Sequence, residues 1–528
     1  MRLRLLGVAA VVGSALLCSG AASADAAAAS GWSAPIILSP AGENSIDVKV
    51  AMNARGDAVV VWHHRIDPYH SSIEVSSRAA YGPFTAPAVI SDWQVMDPRV
   101  VVDKDGDATV VWGESGHDGD AGDLIRASVG HAGGSFGPPV TLWKDSGTSG
   151  GHNICAGVDS AGRVTAFWTA ADGPAVLRYA TRPPGGPFGP VGALTNPGDA
   201  VNWPSCAVSV NGDTFASWTD GLRVLVATRP AGDGAFTTKV VRPFDQDRPL
   251  TSIAGLWANA RGDAIVAWSE ATDQSDRETW GKASRRAAGG SFGAPETIAR
   301  SGGNLQPFID DNGRTEAFGF DGSELDPPAA DALGSLTRGA DGRWNIFEAW
   351  TATGWDDWPA AAFDSAGNLF VASRYYYDRE SPHGRALATI RPAGGHFQSQ
   401  ETPLSADGLN VWTPALAAGA AGHALAVWPR GEMDDFHVEL AEYGATPSSG
   451  TAPTDSGAGA GPVATAGATP WPGTDGSGTS ASGEGSAPPP PMKMSQRLRL
   501  KTAHHHRARC RRHAKHRRHE RGCARHRR

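Results

Sequence analysis

The chain has 528 residues, with 55 acidic against 47 basic side chains, a formal charge of −8, 66 glycines and 37 prolines. That density of turn formers, set between short Val, Ala, Ile and Trp runs, excludes long-helix architectures and points to many short strands joined by tight turns. The length would hold several ordinary domains, but one internal repeat fills most of it, so a single large β domain is the economical reading.

Met1-Arg2-Leu3-Arg4 carries positive charge ahead of an apolar run from Leu5 to Leu17, and Ala22-Ser23-Ala24 supplies the small-residue pattern at which a leader is cut. Residues 1–24 are therefore predicted to be a signal peptide, with the mature chain beginning near Asp25. The leucine before Cys18 is not the small residue that precedes a lipid-anchored cysteine, and no later stretch is long and apolar enough to span a bilayer. The expectation is a secreted, extracellular protein. Apart from Cys18 the cysteines are Cys155, Cys206, Cys510 and Cys523, an even number in an oxidising compartment. Cys155 and Cys206 occupy nearly equivalent places in successive repeats, so a bond between neighbouring units is expected. Cys510 and Cys523 could close a loop near the end of the chain, and free buried thiols are the alternative.

Asn53-Ala-Arg-Gly56-Asp57-Ala-Val-Val-Val-Trp62 and Asp103-Lys-Asp-Gly106-Asp107-Ala-Thr-Val-Val-Trp112 are one phrase, a glycine-closed turn feeding an apolar strand. Its glycine returns at Gly162, Gly212, Gly262, Gly313, Gly367 and Gly422. A period of about fifty residues with several strands per unit marks an all-β fold in which short sheets repeat radially, a β-propeller. In the unit between Ser91 and Leu142, strands are predicted from Asp97 to Asp103, up to Trp112, from Asp123 to Val129 and from Pro139 to Leu142. The fourth follows a Gly-Phe element at Phe136 that recurs at Phe84, Phe188, Phe236, Phe292 and Phe397, with Trp344 standing in once.

Four strands make a blade, and eight phrases predict an eight-bladed β-propeller. Its last unit has the Trp428 strand and a strand from His437 to Tyr443 but no fourth; Ser30 to Leu38 matches the missing piece. The N-terminal segment is thus predicted to complete the last blade and leave no open sheet edge. Two units lack the strand-ending tryptophan, at Phe318-Gly-Phe320 and Ser373-Arg374-Tyr375, so seven blades are the alternative.

The propeller is bounded at 25–444. From Ala445 to Pro491 the chain is Gly, Ala, Ser, Thr and Pro, too poor in large apolar groups to offset the entropy of ordering, and is predicted to be a disordered linker. The tail, 492–528, holds fifteen Lys or Arg against Glu520, a charge of +14 that leaves about −22 on the remainder of the −8 chain. Histidines intersperse it, at His504, His505, His506, His513, His516, His519 and His526. Such a tail attracts polyanions by counterion release. For an exported chain the expected partner is an anionic cell-envelope polymer, not a specific nucleic acid.

In propeller geometry the connections after second and fourth strands share one rim. They are the varied ones here, and varied loops on a rigid scaffold are where binding sits. Trp93, Trp203, Trp358, Trp412, Tyr375, Tyr376, Glu114, Glu270 and His64 fall on or beside them. Indole next to carboxylate and amide suits sugars, whose apolar faces stack while their hydroxyls take hydrogen bonds. The competing reading is that Trp203-Pro204, Trp358-Pro359 and Trp412-Thr-Pro414 wedge adjacent blades. Trp62, Trp112, Trp168, Trp218, Trp268 and Trp428, at one place in nearly every unit, are read as core.

Glu114, Asp220 and Glu270 each stand two residues beyond a tryptophan, and a close pair of them could support glycoside hydrolysis. No catalytic residue and no metal centre is assigned. Ca²⁺ at Asp103, Asp105 and Asp107 is the weak cofactor candidate, lacking the full loop of known calcium sites. Arg55-Gly56-Asp57 and Arg261-Gly262-Asp263 spell an integrin-binding tripeptide but fall in the repeated turn, and are read as turn chemistry.

Through Asp159-Ser-Ala-Gly162 and Asp364-Ser-Ala-Gly367, each followed by an aromatic-bearing strand, residues from Trp32 to Tyr443 resemble bacterial secreted repeat propellers of the sialidase-like type. The family's box is Ser-x-Asp-x-Gly-x-Thr-Trp, with a shorter turn-to-aromatic spacing than this chain keeps, and the family has six blades. It also has an arginine triad and a tyrosine with an acidic partner. Tyr376 and Glu380 are close in sequence, but no arginine triad matches, so the resemblance transfers no catalytic residue. The expected function is non-catalytic binding of glycan or another cell-surface ligand by a monomer tethered through its basic tail. A propeller glycoside hydrolase or lyase, and a structural or adhesive envelope protein, are the alternatives.

Overall fold

A computed structural model describes residues 31–444, except for 41–42, 68–69, 92, 116–121, 145–152, 171–174, 233, 246, 272–278, 301–305, 322–332, 350–354, 377–382, 399–400, 407 and 433–434. The predicted leader, linker and basic tail, with Cys510 and Cys523, lie outside the described residues. Within them every regular element is a β-strand. No helix there is long and apolar enough to cross a membrane.

The repeated turn fixes where strands begin. All eight predicted glycines have φ between +75° and +99°, the left-handed region that side chains disfavour. Asn53 shows the turn's chemistry: its Oδ1 accepts the backbone N–H of Arg55 at 2.9 Å and of Asp57 at 3.1 Å. Its Nδ2 donates to the carbonyl of Asp103 in the next repeat at 2.8 Å, and Asn259 does the same to Asp310. At Gly262 a Cβ would stand 2.5 Å from Asn211 Nδ2, so this turn-to-turn contact also needs glycine for space. The strand after each turn is mostly apolar because both of its faces are covered by neighbouring sheets.

Residues 44–91, 95–144, 155–193, 202–242, 250–300 and 306–349 each form one four-stranded antiparallel sheet, in chain order. The other strands join in a nine-stranded sheet that contains two further antiparallel sets, 355–403 and 415–443. Leu409–Val411 bridges them, pairing with His383 and Gly384 on one side and Arg430 and Gly431 on the other. Ile36–Ile37 pairs with the last strand, Ile36 opposite Leu440 and Ile37 opposite Glu439. This is a β-propeller: repeated four-stranded meanders whose cores lie between sheets.

The core follows the repeats, numbered here by their glycines from Gly56 to Gly422. Val59 and Ile73 of the first repeat pack on Val110 and Trp112 of the second, and Val111 and Ile125 on Trp168 of the third. Phe167 packs on Trp218 of the fourth, and Phe215 on Trp268 of the fifth. Trp257, Phe308 and Leu369 join the fifth, sixth and seventh, and Phe370 meets Trp428 of the eighth. Leu425 and Val427 of the eighth then pack with Trp62 of the first. The strand-ending tryptophans are thus core, as read from the sequence. Truncating an aromatic buried this deeply costs about 3–5 kcal/mol.

Two further devices join sheets. Cys155 and Cys206, in the first strands of the third and fourth repeats, form a disulfide with Cα atoms 6.0 Å apart. Closing a separation of 51 residues restricts the unfolded chain by about 4 kcal/mol. Buried arginines at the ends of third strands reach the preceding repeat. Arg78 forks onto both oxygens of Glu442 at 2.7 and 2.8 Å, and Arg286 binds Asp213 at 2.8 Å. Arg391 pairs with Glu316.

Candidate functional site

The candidate site is the rim that carries the second-to-third and fourth-to-first connections. First strands enter it through irregular backbone. Registers shift between Ile46 and Lys49, Met96 and Arg99, Asn202 and Ser205, and Asp357 and Ala360. Asp47, Asp97 and Trp203 sit in the first three shifts with φ of 52°, 51° and 46°. Bulges of this kind re-aim side chains at sheet ends.

Trp203 is carried by such a bulge, and its half-buried ring packs against the cluster of Leu256 and Trp268 between the fourth and fifth sheets. That is the wedge reading for this residue. Trp93 is half-buried; its indole N–H donates to the carbonyl of Ser115 at 3.0 Å, and its ring meets His70 edge-on at 5.6 Å. His70 in turn pairs with Asp67 at 2.7 Å. Tyr375 lies under the Arg385 guanidinium, 5.5 Å from the ring centre. Trp412 is 43% exposed and leans edge-to-face on Phe436 at 5.7 Å. Trp358 and Tyr376 lie in Trp355–Phe363 and Leu369–Tyr376, with side chains outside the described residues.

Glu114 and Glu270, expected as ligand-facing acids, require correction: they are 1% and 6% exposed. Glu114 accepts hydrogen bonds from Ser91 Oγ at 3.0 Å, Arg126 Nη1 at 3.1 Å and Trp112 Nε1 at 3.4 Å. Glu270 faces Arg242 Nε at 3.3 Å, Trp268 Nε1 at 3.4 Å and Lys282 Nζ at 3.5 Å. The physical reason is strand alternation: a residue two beyond the tryptophan shares its inward face. Glu439 in the eighth repeat does the same work from the third strand, accepting from Trp428 Nε1 at 2.9 Å and Arg430 Nη1 at 3.0 Å.

Asp220 stays at the rim but caps its own connection, accepting from the N–H groups of Leu222 and Arg223 at 3.0 and 2.7 Å. Burial pushes its carboxyl up, yet the hydrogen bonds from Arg223 and Leu222 and the Arg223 charge hold it below the ordinary range. His64 bonds Glu74 through Nδ1 at 2.7 Å. Its neighbour His63 is pushed down to about 4, chiefly by burial.

The calcium candidate is also corrected. Asp103 Oδ1 accepts the N–H groups of Asp105 and Asp107, each at 2.9 Å, while Asp105 pairs with Lys104 and Asp107 with His131. The turn uses these groups itself. Arg55 and Arg261 fold back on Asp57 and Asp263 at 2.8 and 2.7 Å, so both tripeptides are internally paired turns.

Besides Trp412, the rim exposes apolar groups that sequence reasoning missed. Leu222, Phe244 and Trp280 are 52%, 54% and 37% exposed. Arg242 gathers their connections, donating to the carbonyl of Leu222 at 2.7 Å and to Glu270, which stands opposite Trp280. A leucine just after Asp220-Gly221 and a phenylalanine just after Pro243, both in connections, were the available signals.

No protein-family model and no curated protein matches the chain. Solved structures similar to it include a protein of unknown function from Dyadobacter fermentans DSM 18053, 12% identical over 79% of this chain and 99% of that one, with a TM-score of 0.38. The β-propeller domain of the Trilobed protease from Pyrococcus furiosus is 8% identical over 69% of this chain and 98% of that one, with a TM-score of 0.38. An ulvan lyase from a new polysaccharide lyase family is 11% identical over 78% of this chain and 93% of that one, with a TM-score of 0.41. At this distance the likeness says nothing about activity.

Proposed function

We propose that the chain is an exported, monomeric, eight-bladed β-propeller, closed by its N-terminal strand, that binds glycan or another cell-surface ligand through the loop-bearing rim. The basic 492–528 segment holds it to an anionic envelope polymer. Support for the blade count comes from eight left-handed glycine turns and from eight four-stranded sets, the last counted with Ile36–Ile37. The binding reading is carried by one observation: Leu222, Phe244, Trp280 and Trp412 keep large apolar surfaces in water on one rim. Such surfaces rimmed by polar groups mark binding sites, and aromatic ones stack on sugar rings. Catalysis is the weaker reading because Glu114 and Glu270 are closed in against basic partners.

The test is a glycan array with the full chain, followed by calorimetry on the ligands retained. Trp280→Ala and Trp412→Ala should fold as wild type and weaken binding about tenfold each, about 1.4 kcal/mol. An empty array, or variants that bind as wild type, would remove the reading. In the same assay, deletion of 492–528 should leave glycan affinity intact and abolish salt-sensitive retention on the envelope fraction; unchanged retention would remove the tether.

A further inference from the structure

Four repeats place a pair of ionisable side chains beside the tryptophan, one member two residues after it and the other directly opposite it on the third strand. The pairs are Glu114 with Arg126, Glu270 with Lys282 and Arg430 with Glu439 in the second, fifth and eighth repeats. Each sets one carboxylate against a permanent cation. In the first repeat the places are held by His64 and Glu74, and a second carboxylate, Glu43, has been added. One donor atom from each of Glu43, His64 and Glu74 lies within 4.8 Å of the others. The register accounts for this: Ser45 and Ser72 stand opposite His64, and Glu43 and Glu74 are two residues away from those serines on the same face.

The polar atoms left over are the second observation. Glu74 is 6% exposed, and its Oε2 has no hydrogen-bond donor. Oε2 of Glu43 is likewise shut from solvent without a donor, and Trp62 Nε1 without an acceptor. Glu439, in the register place that Glu74 occupies, accepts from its indole at 2.9 Å. Glu74 has instead turned from Trp62 toward His64 and a second carboxylate. An undonated buried carboxylate oxygen is costly, and two of them beside an imidazole are arranged for a cation.

We propose that Glu43, His64 and Glu74 form a site for a divalent transition-metal ion of the zinc class, bound by His64 Nδ1 and one oxygen from each glutamate. Imidazole favours such ions over Ca²⁺ and Mg²⁺, which take all-oxygen shells. Three protein ligands leave the fourth position of a tetrahedral ion for water or a ligand oxygen. The site lies where the second strand ends at the rim, and it stands independently of the glycan reading.

The test melts the metal-stripped full chain with and without Zn²⁺ at neutral pH and records the visible spectrum with Co²⁺. Zn²⁺ should raise the unfolding midpoint by several degrees, reversibly with chelator, and Co²⁺ should give d–d bands. His64→Ala and Glu74→Gln should lose both. No midpoint shift in wild type overturns the proposal, as does a shift that survives His64→Ala, which would place binding elsewhere, the tail histidines included. Glu43→Gln alters a ligand less buried than Glu74 and guards against misfolding of the other two. It should melt as wild type without metal and bind Zn²⁺ at least about tenfold more weakly, and equal affinity would overturn the site as drawn.

Discussion

Glu296 holds side chains from two sheets at once. Its Oε2 accepts from Arg338 Nε at 2.7 Å and Trp344 Nε1 at 3.3 Å, and its Oε1 accepts from Arg285 Nη2 at 3.2 Å. Burial pushes the carboxyl up, but the Arg338 hydrogen bond and the Arg285 and Arg338 charges outweigh it and hold the group below the ordinary glutamate value of 4.5. A depressed folded value means stability that is fully present above 4.5 and lost as pH falls through the folded value. Urea unfolding of wild type and Glu296→Gln from pH 3 to 7 should therefore show a stability gap that is constant above about pH 5 and closes in acid. A gap independent of pH would mean that charge is not what Glu296 contributes. Residues of this kind were the least legible in the sequence. Glu114 and Glu270 read as rim acids because each follows a tryptophan into a connection, whereas period-two alternation keeps them on the inward face. Their neutralising partners Arg126 and Lys282 lie twelve residues on, and only the strand register, which sets them opposite Trp112 and Trp268, brings them within reach.

At the scale of elements the repeat was far easier to read. A glycine-closed turn followed by a mostly apolar run located the second strand of each repeat, because a left-handed turn has few sequence solutions and a strand covered on both faces is mostly apolar. Third strands were read only as strands. Their terminal arginines, Arg78, Arg229, Arg286 and Arg391, are buried over Phe84, Phe236, Phe215 and Phe397 with guanidinium-to-ring distances of 4.9 to 5.3 Å. An isolated arginine in a strand carries no signal of burial; the signal was its recurrence just before the Gly-Phe element. Arg78 makes the consequence measurable, since its bidentate contact with Glu442 joins the first sheet to the strand that ends the eighth repeat. Arg78→Ala leaves that carboxylate largely buried without its cation, so equilibrium unfolding should show a loss of about 3–5 kcal/mol. Arg78→Met with Glu442→Leu should recover most of it, because removing both charges avoids the stranded one. A single-variant loss below about 1 kcal/mol would reduce the contact to an ordinary surface pair.

For the whole molecule the question is how the two ends of the repeat array meet. The missing fourth strand of the last repeat was legible as an arithmetic deficit, and Ile36–Ile37 is found hydrogen-bonded beside that repeat's final strand. The merging of two sets into one nine-stranded sheet through Leu409–Val411 was not legible, because a three-residue strand inside a connection has too few residues to show a period. The meeting is held on both sides of the N-terminal strand: Ser33 N–H donates to Glu442 at 2.7 Å, Leu38 N–H to Val438 at 2.8 Å, and Val438 N–H to Ser39 Oγ at 2.8 Å. Trp32 adds edge-to-face contacts with Tyr443 at 5.5 Å and Phe370 at 6.3 Å. Joining residues some four hundred positions apart costs more loop-closure entropy than a local contact, although the cost grows only slowly with length, and these hydrogen bonds and ring contacts offset it. Deleting Trp32 to Leu38 should therefore lower the unfolding midpoint and expose the Asp435–Tyr443 edge, which invites intermolecular pairing. Light scattering should rise with the deletion, and a synthetic peptide of residues 31–40 supplied in trans should restore both the midpoint and the monomer. If the deleted chain melts as wild type and stays monomeric, the N-terminal strand is an appendage and the closed eight-bladed reading fails. If the peptide cannot rescue a destabilised chain, the loss comes from somewhere other than the open sheet edge.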